Sequence, residues 1–271
     1  MHKLSRRVRF SINPFLPSDS RGSNSLSSKP AAEGLAVFLE LSVELVGSVE
    51  PTTGFVVNVL DIDKMVREYV VPIFSERIRK DFRKCKHISL SDIAELLKSS
   101  RDQLADKFGT ARVNKLSLGL NPFRKVAVDC EETGEEYKMI YFSEKFEFAA
   151  MHRLWNDEFS QSRNFEVFGK CANPAGHGHN YIVEVTVKTP TEKGDFRIGD
   201  FERTVDDNLI KLLDHKNLNA DVKELGTINP TVENLAVFAW NRLVGKFGAA
   251  ALHCVTVWEN ERTYSSYFGR V

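Results

Sequence analysis

Cys171-Ala-Asn-Pro-Ala-Gly-His177-Gly-His179-Asn-Tyr181-Ile-Val-Glu-Val-Thr-Val187 is the stretch on which the reading of this chain turns. Its second half alternates with many β-branched residues, as a strand does, and the two histidines stand at the mouth of that strand. Side chains in a strand alternate faces, so His177 and His179 point one way and Gly178 the other. That is a pair of imidazole ligands a few residues after a cysteine. One more histidine from elsewhere would complete a three-ligand zinc site with an open fourth position, the arrangement of a catalytic rather than a structural zinc. A lone His-x-His is a weak signal, because paired surface histidines are common. Its company has to decide.

Bulk properties narrow the field. The chain has 271 residues, enough for one large or two ordinary domains, with 37 Lys and Arg against 37 Asp and Glu. A balanced charge argues against nucleic acid or an acidic membrane surface as the main partner. The four cysteines, Cys85, Cys130, Cys171 and Cys254, are scattered without a Cys-x-x-Cys, so a reduced, cytoplasmic setting is expected rather than a disulfide framework. The basic start carries Arg6-Arg7, but Asn13, Pro14, Pro17 and Asp19 interrupt any apolar leader. No run is long and apolar enough to span a bilayer.

Taken in order, Val8–Ile12 reads as a short strand, 17–30 as a loop, Leu35–Val46 as a strand and Phe55–Val59 as its return after a Pro51–Gly54 turn. Asp61–Arg79 has helical spacing, with Pro72 as a kink, and a second helix follows a Ser cap at Ser91 and runs to about Phe108. Val113–Leu120 alternates again. From Tyr141 the same order restarts. Lys145–Ala149 is a strand delivering His152, and 156–169 is a polar loop. Asn180–Thr189 is a strand, 191–194 a turn and Phe196–Phe201 the return. Thr204–Leu213 is a helix, Thr231 caps another over Val232–Phe247, and Leu252–Trp258 closes the set.

The second half therefore repeats the first at an offset of about 140 residues. Lys107-Phe-Gly109 lines up with Lys246-Phe-Gly248, the Ser89 region with the Thr231 region, and Val113–Asn121 with Leu252–Asn260. The expected architecture is α+β, two copies over 1–135 and 136–271, each with antiparallel strands and two helices on one sheet face.

Chemistry falls in only one copy. His152 is the natural third imidazole. Cys171 is close enough to reach the same pocket, either as a fourth ligand that closes the site or, unligated beside a cation, as a general base or nucleophile. Asp214-His215 is an ordinary surface turn or a histidine oriented by its carboxylate, able to take a proton from Cys171. Glu259 ends the closing strand and has the chemistry to accept two hydrogen bonds from the N–H and NH₂ of a heterocycle. In the first copy, Pro14 stands for His152, Leu35 and Val37 for His177 and His179, Phe74-Ser75 for Asp214-His215, and Leu120 for Glu259. Residues needed only by the fold would be needed by both copies, so these mark a site.

Phe148-Ala-Ala-Met-His152-Arg-Leu, Phe168-Gly-Lys-Cys171 through His179-Asn-Tyr, Leu213-Asp214-His215-Lys-Asn-Leu-Asn219, Pro230-Thr231-Val-Glu233-Asn234 and the terminal Glu259 resemble the 6-pyruvoyl-tetrahydropterin synthase family along 141–271. The first copy resembles it weakly, chiefly through Gly47–Asn58. The resemblance implies a tandem tunnelling fold (T-fold), each unit a four-stranded antiparallel sheet with two helices on one face, assembling into barrels. It implies zinc on His152, His177 and His179, with Mg²⁺ accompanying the triphosphate. Cys171, Asp214 and His215 would transfer the proton, and Glu259 would anchor the pterin ring with Thr231 and Glu233 near it. The implied activity is a lyase of tetrahydrobiopterin biosynthesis, acting on 7,8-dihydroneopterin triphosphate. Alternatives on the same fold are the 6-carboxy-tetrahydropterin synthase of queuosine biosynthesis and a non-catalytic pterin-binding protein. In the family the site is shared between subunits, so the expected assembly is a homo-oligomer, a trimer imitating a hexamer. Asn260 departs from the family, which usually has threonine after the glutamate.

Overall fold

The structure is a computed structural model and describes residues 1–15, 35–130, 139–190 and 196–269. The chain divides into two compact units, Met1–Phe142 with Pro190–Gly194, and Ser143–Thr189 with Asp195–Val271. The loop expected over 17–30 and the turn expected over 191–194 lie outside the described residues. Among the described residues no helix is long and apolar enough to cross a membrane.

In the first unit β1 (His2–Ile12), β2 (Val37–Gly47), β3 (Arg112–Gly119) and β4 (Arg124–Asp129) pair in that order. The pairs are antiparallel. Helices α1 (Val59–Met65), α2 (Val71–Arg83) and α3 (Leu90–Leu104) come between β2 and β3. Alternation fixes the buried face. Val8, Phe10 and Ile12 of β1 and Leu39, Leu41, Val43 and Leu45 of β2 are all buried under the helices, with Phe10 edge-on to Phe74 of α2 at 5.8 Å. Arg6 stands in the same row and donates two hydrogen bonds, at 2.9 and 2.6 Å, to Asp63 of α1, whose side chain is buried. Pairing and bidentate geometry make that buried carboxylate tolerable.

The second unit repeats the order with β5 (Met139–His152), whose residues from Ser143 onward belong to it, β6 (His177–Pro190), β8 (Ala251–Asn260) and β9 (Thr263–Tyr267). A two-residue strand, β7 (Lys216–Asn217), runs parallel to the end of β5. Helix α4 (Gln161–Phe168) precedes β6. Helices α5 (Ile198–Val205), α6 (Lys211–Leu213) and α7 (Val232–Leu243) lie between β6 and β8. Each unit is thus an α+β layer on an antiparallel four-stranded sheet, and each sheet is open rather than closed into a barrel.

Two irregularities occur at matching places. The β2–β3 ladder shifts register between Glu44 and Leu45, and the β6–β8 ladder shifts between Thr186 and Val187. The first helical stretch after β2 and the first after β6 each contain a five-residue π-helical turn, Val66–Val70 in one and Asp206–Ile210 in the other. Aligned on the bulges, Val37 falls where His179 does and Leu35 where His177 does. By strand ends, buried Ile12 rather than Pro14 stands where His152 ends β5.

The order of elements differs from expectation in one respect, since among the described residues neither unit has a return strand before its helices. At 55–59 the Asn58 side chain accepts from the Leu60 N–H at 3.0 Å and starts α1 instead. At 196–201 the chain enters α5, where Phe201 and Val205 are buried. The fourth strand of each sheet, β4 or β9, comes last. Ser89, not Ser91, caps α3, in a reciprocal capping box with Asp92. The polar stretch 156–169 contains α4, capped by Ser160, and α7 stops at Leu243 rather than Phe247.

Candidate active site

Three strands deliver the site from rows that elsewhere form the core. On β5 the row Phe148, Ala150, His152 is buried, and on β6 the row His177, His179, Tyr181, Val183 continues inward as core. Phe148 stacks on Tyr181 at 5.0 Å, locking the two rows together. The β6–β8 ladder ends at the rung Ile182↔Trp258, so the next position sets Glu259 across from Tyr181 on the same face. The β8–β9 ladder skips Glu259, passing from Trp258↔Tyr264 to Asn260↔Thr263. Such a bulge re-aims the side chain it carries.

The ligand atoms of His152, His177 and His179 all lie within 4.8 Å of one another, a group that can hold a metal ion. His152 is 1 % exposed, and its Nδ1 donates to the Pro230 carbonyl at 2.8 Å. That bond fixes the tautomer and turns the Nε2 lone pair toward His177 Nε2, 3.1 Å away. His179 Nε2 is buried without a hydrogen-bond partner among the described residues. Converging nitrogens, one fixed as a lone pair and one orphaned, suit a divalent cation that favours imidazole. Burial pushes His152 down to about 4, with smaller downward pushes from His177 and His179 set against the Pro230 bond. His177 is lowered by burial and by His179, and Glu259 opposes the shift. Both shifts favour the neutral imidazole, the form of His152 and His177 that can coordinate a cation.

Cys171 lies in a 3₁₀ turn, Gly169–Ala172, reached from α4 through Gly169 at φ 54°. Its carbonyl accepts from Leu154 N at 2.9 Å, and Arg153 Nε donates to the Ala172 carbonyl at 3.2 Å, so the turn is laced to the chain just after His152. Burial, then Glu259, raises the thiol above its ordinary pKa. Tyr181 is raised by burial, Glu259 and Cys171, which puts all three groups within one electrostatic neighbourhood. Gly176 closes the loop into β6 at φ 68°, where an added Cβ would stand 2.9 Å from the His152 carbonyl oxygen.

Asp214 and His215 form the expected pair, Asp214 Oδ2 to His215 Nδ1 at 2.9 Å. Asp214 Oδ1 accepts from Ala149 N, and His215 N donates to Ala149 O, so both residues are clamped to β5. The Ala149 N–H and the His215 ring hold the Asp214 carboxyl below its usual range. His215 adopts φ 56°, and its side chain is 83 % exposed. Thr231 caps α7 by accepting from Asn234 N, and Glu233 is exposed in the first helical turn. This chain thus brings the histidines, Cys171 and Glu259 together and leaves Asp214-His215 facing outward.

Sequence reasoning missed three supports. Pro230 holds His152. Asn219 brackets Arg153 through its N–H and carbonyl, and Asn229 accepts from Trp155 N. The Leu213–Asn219 and Pro230–Asn234 motifs were the available signal. An open cleft of about 620 Å³ is lined by Met151, His152, Trp155, Gly176, Asn217 and Asn229.

Fold and site together define a class: an α+β antiparallel-sheet protein with a three-histidine metal group at the end of its core rows. The family model described as 6-pyruvoyl tetrahydropterin synthase matches residues 141–270. The human 6-pyruvoyl tetrahydrobiopterin synthase is 36 % identical over 130 residues, which cover 47 % of this chain and 90 % of that protein. The Drosophila melanogaster protein of the same name is 42 % identical over 99 residues, covering 35 % of this chain and 59 % of that one. The solved Caenorhabditis elegans 6-pyruvoyl tetrahydropterin synthase shares 28 % identity over 49 % of this chain and 96 % of its own, with a TM-score of 0.44. The chain belongs to the 6-pyruvoyl tetrahydropterin synthase family, and its second unit carries the match.

Proposed function

We propose that the second unit is the catalytic domain of a zinc-dependent lyase that converts 7,8-dihydroneopterin triphosphate to 6-pyruvoyl-tetrahydropterin with loss of triphosphate. The observation that carries this reading is the convergence of His152, His177 and His179 beside Cys171 and Glu259, in a chain of this family. Zinc on the three imidazoles would supply Lewis acidity to side-chain oxygens of the substrate. Glu259, aimed by its bulge, accepts hydrogen bonds from the pterin ring. Thr231 and Glu233 follow Pro230, whose carbonyl holds His152, so the first turn of α7 borders the site.

Cys171 removes the proton from the activated side-chain carbon. The resting thiol is raised by burial and Glu259, and a bound cation acts the opposite way, favouring the thiolate when the site is loaded. His215, oriented by Asp214, relays that proton. Because His215 points outward on its own chain, the reading assigns it to the site of a neighbouring copy, in a homo-oligomer that we take to be a trimer imitating a hexamer. The first unit is read as a second, degenerate copy of the T-fold, supported by the shared strand order, bulge and π turn and by apolar residues where the histidines stand.

The test is to incubate zinc-loaded protein with 7,8-dihydroneopterin triphosphate and follow triphosphate release and the reduced product. Cys171→Ala is expected to lose at least about a hundredfold in turnover with zinc content unchanged. Undiminished turnover in that variant would defeat the role of Cys171, and release of a 6-carboxy product would defeat the assigned reaction.

A further inference from the structure

One donor in the site has nothing to bind. The Tyr181 side chain is 0 % exposed, and its hydroxyl has no hydrogen-bond partner among the described residues. A buried phenol without an acceptor opposes folding, and such exceptions call for an explanation. Packing does not provide one. The ring stacks on Phe148 at 5.0 Å and meets the rings of His179 at 5.5 Å and His152 at 6.1 Å, contacts a phenylalanine would make equally well. The hydroxyl therefore answers to something outside the apo chain. Tyr181 is the third member of the row that begins with His177 and His179, and the β6–β8 register sets Glu259 across from it. Any ligand spanning the histidine group and Glu259 lies along this row.

We propose that Tyr181 is a catalytic hydrogen-bond donor that gives its O–H to a side-chain oxygen of the bound substrate. This rests on the reaction assigned above. As the C–H bond breaks, its proton passes to Cys171 and its electron pair enters the conjugated pterin ring. Tyr181 keeps its own proton throughout. Its hydrogen bond fixes the oxygen on the carbon that loses its proton and stabilises negative charge gathering on that side chain. A donor already in place in a water-excluded site needs no reorganisation when the charge develops.

Tyr181→Phe removes the hydroxyl and keeps the ring. In the zinc-loaded protein, kcat is expected to fall about a hundredfold, with zinc stoichiometry unchanged. Fluorescence titration supplies a readout free of turnover. Biopterin, which carries side-chain hydroxyls, should bind about tenfold more weakly to the variant, and pterin, which lacks a side chain, equally well. Wild-type turnover and biopterin affinity in Tyr181→Phe would overturn the proposal. Equal weakening of both ligands, or loss of zinc, would also overturn it by marking a structural role. A wild-type protein that binds both ligands without forming product sinks the lyase reading and leaves Tyr181 decided by the biopterin comparison. One that binds neither sinks both.

Discussion

The Nε2 atoms of His152 and His177 stand 3.1 Å apart while the Nδ1 proton of His152 is committed to the Pro230 carbonyl. Two nitrogens bound tetrahedrally to one zinc at the usual bond length are about 3.3 Å apart, so the pair is already spaced for a shared ion. We expect one zinc per chain. His179→Ala should weaken zinc binding by at least about a hundredfold with the fold intact, read by competition with a chromophoric chelator and by circular dichroism. Zinc affinity within threefold of wild type would remove His179 from the site.

His152 makes the metal-free protein sensitive to acid. Its folded pKa is pushed down to about 4, below the ordinary value of 6.5. Above 6.5 the ring is neutral whether the chain is folded or not, and the native state bears no penalty. As pH falls from 6.5 toward 4 the unfolded chain takes up a proton that the folded chain refuses, so stability drops across that window. The total is on the order of 3 kcal/mol. Urea unfolding of the metal-free protein between pH 4 and 7.5 should show this slope, and His152→Gln should flatten it.

Gly176 is held at φ 68° with the His152 carbonyl oxygen 2.9 Å from where a Cβ would stand. Gly176→Ala meets both backbone strain and a backbone clash, costing roughly 1–3 kcal/mol. Because the displaced atom belongs to a histidine of the metal group, zinc affinity should fall with stability. Gly199→Ala, with no atom within 4 Å of its Cβ position, is the control that should do neither.

If His215 serves a neighbouring copy, Cys171→Ala and His215→Ala subunits are each inactive alone but contribute complementary halves. Co-refolded mixtures should regain activity that neither variant has. No recovery, in mixtures shown by mass to have exchanged subunits, would place both residues in one chain's site.

The histidine row was legible because strand alternation is strict: two residues apart on an apolar strand means one face. Glu259 was legible only as a strand end, since its placement depends on a cross-strand rung and a bulge that sequence does not display. The false return strands at 55–59 and 196–201 arose from short apolar runs after turns. In the first, an Asn58 cap decided for helix, and in the second, the spacing of Ile198, Phe201 and Val205 did. Helix α4 stayed hidden because its fastening is tertiary. Buried Asn164 donates to the carbonyls of Asn156, Phe159 and Ser160, and a polar composition gives no hint of that. Strand β9, Thr263–Tyr267, has no buried residue and so no apolar period to read.

The paired bulges and π turns have a last consequence. Irregularities of this kind interrupt regular hydrogen bonding and are commonly retained beside functional sites. Here both recur in a unit that carries Ile12, Leu35 and Val37 where its counterpart carries imidazoles. On the duplication reading, the contour outlasted the chemistry it once aimed. The first unit is then a blank casting of the second, and imidazoles engineered into it would meet a backbone already bent to receive them.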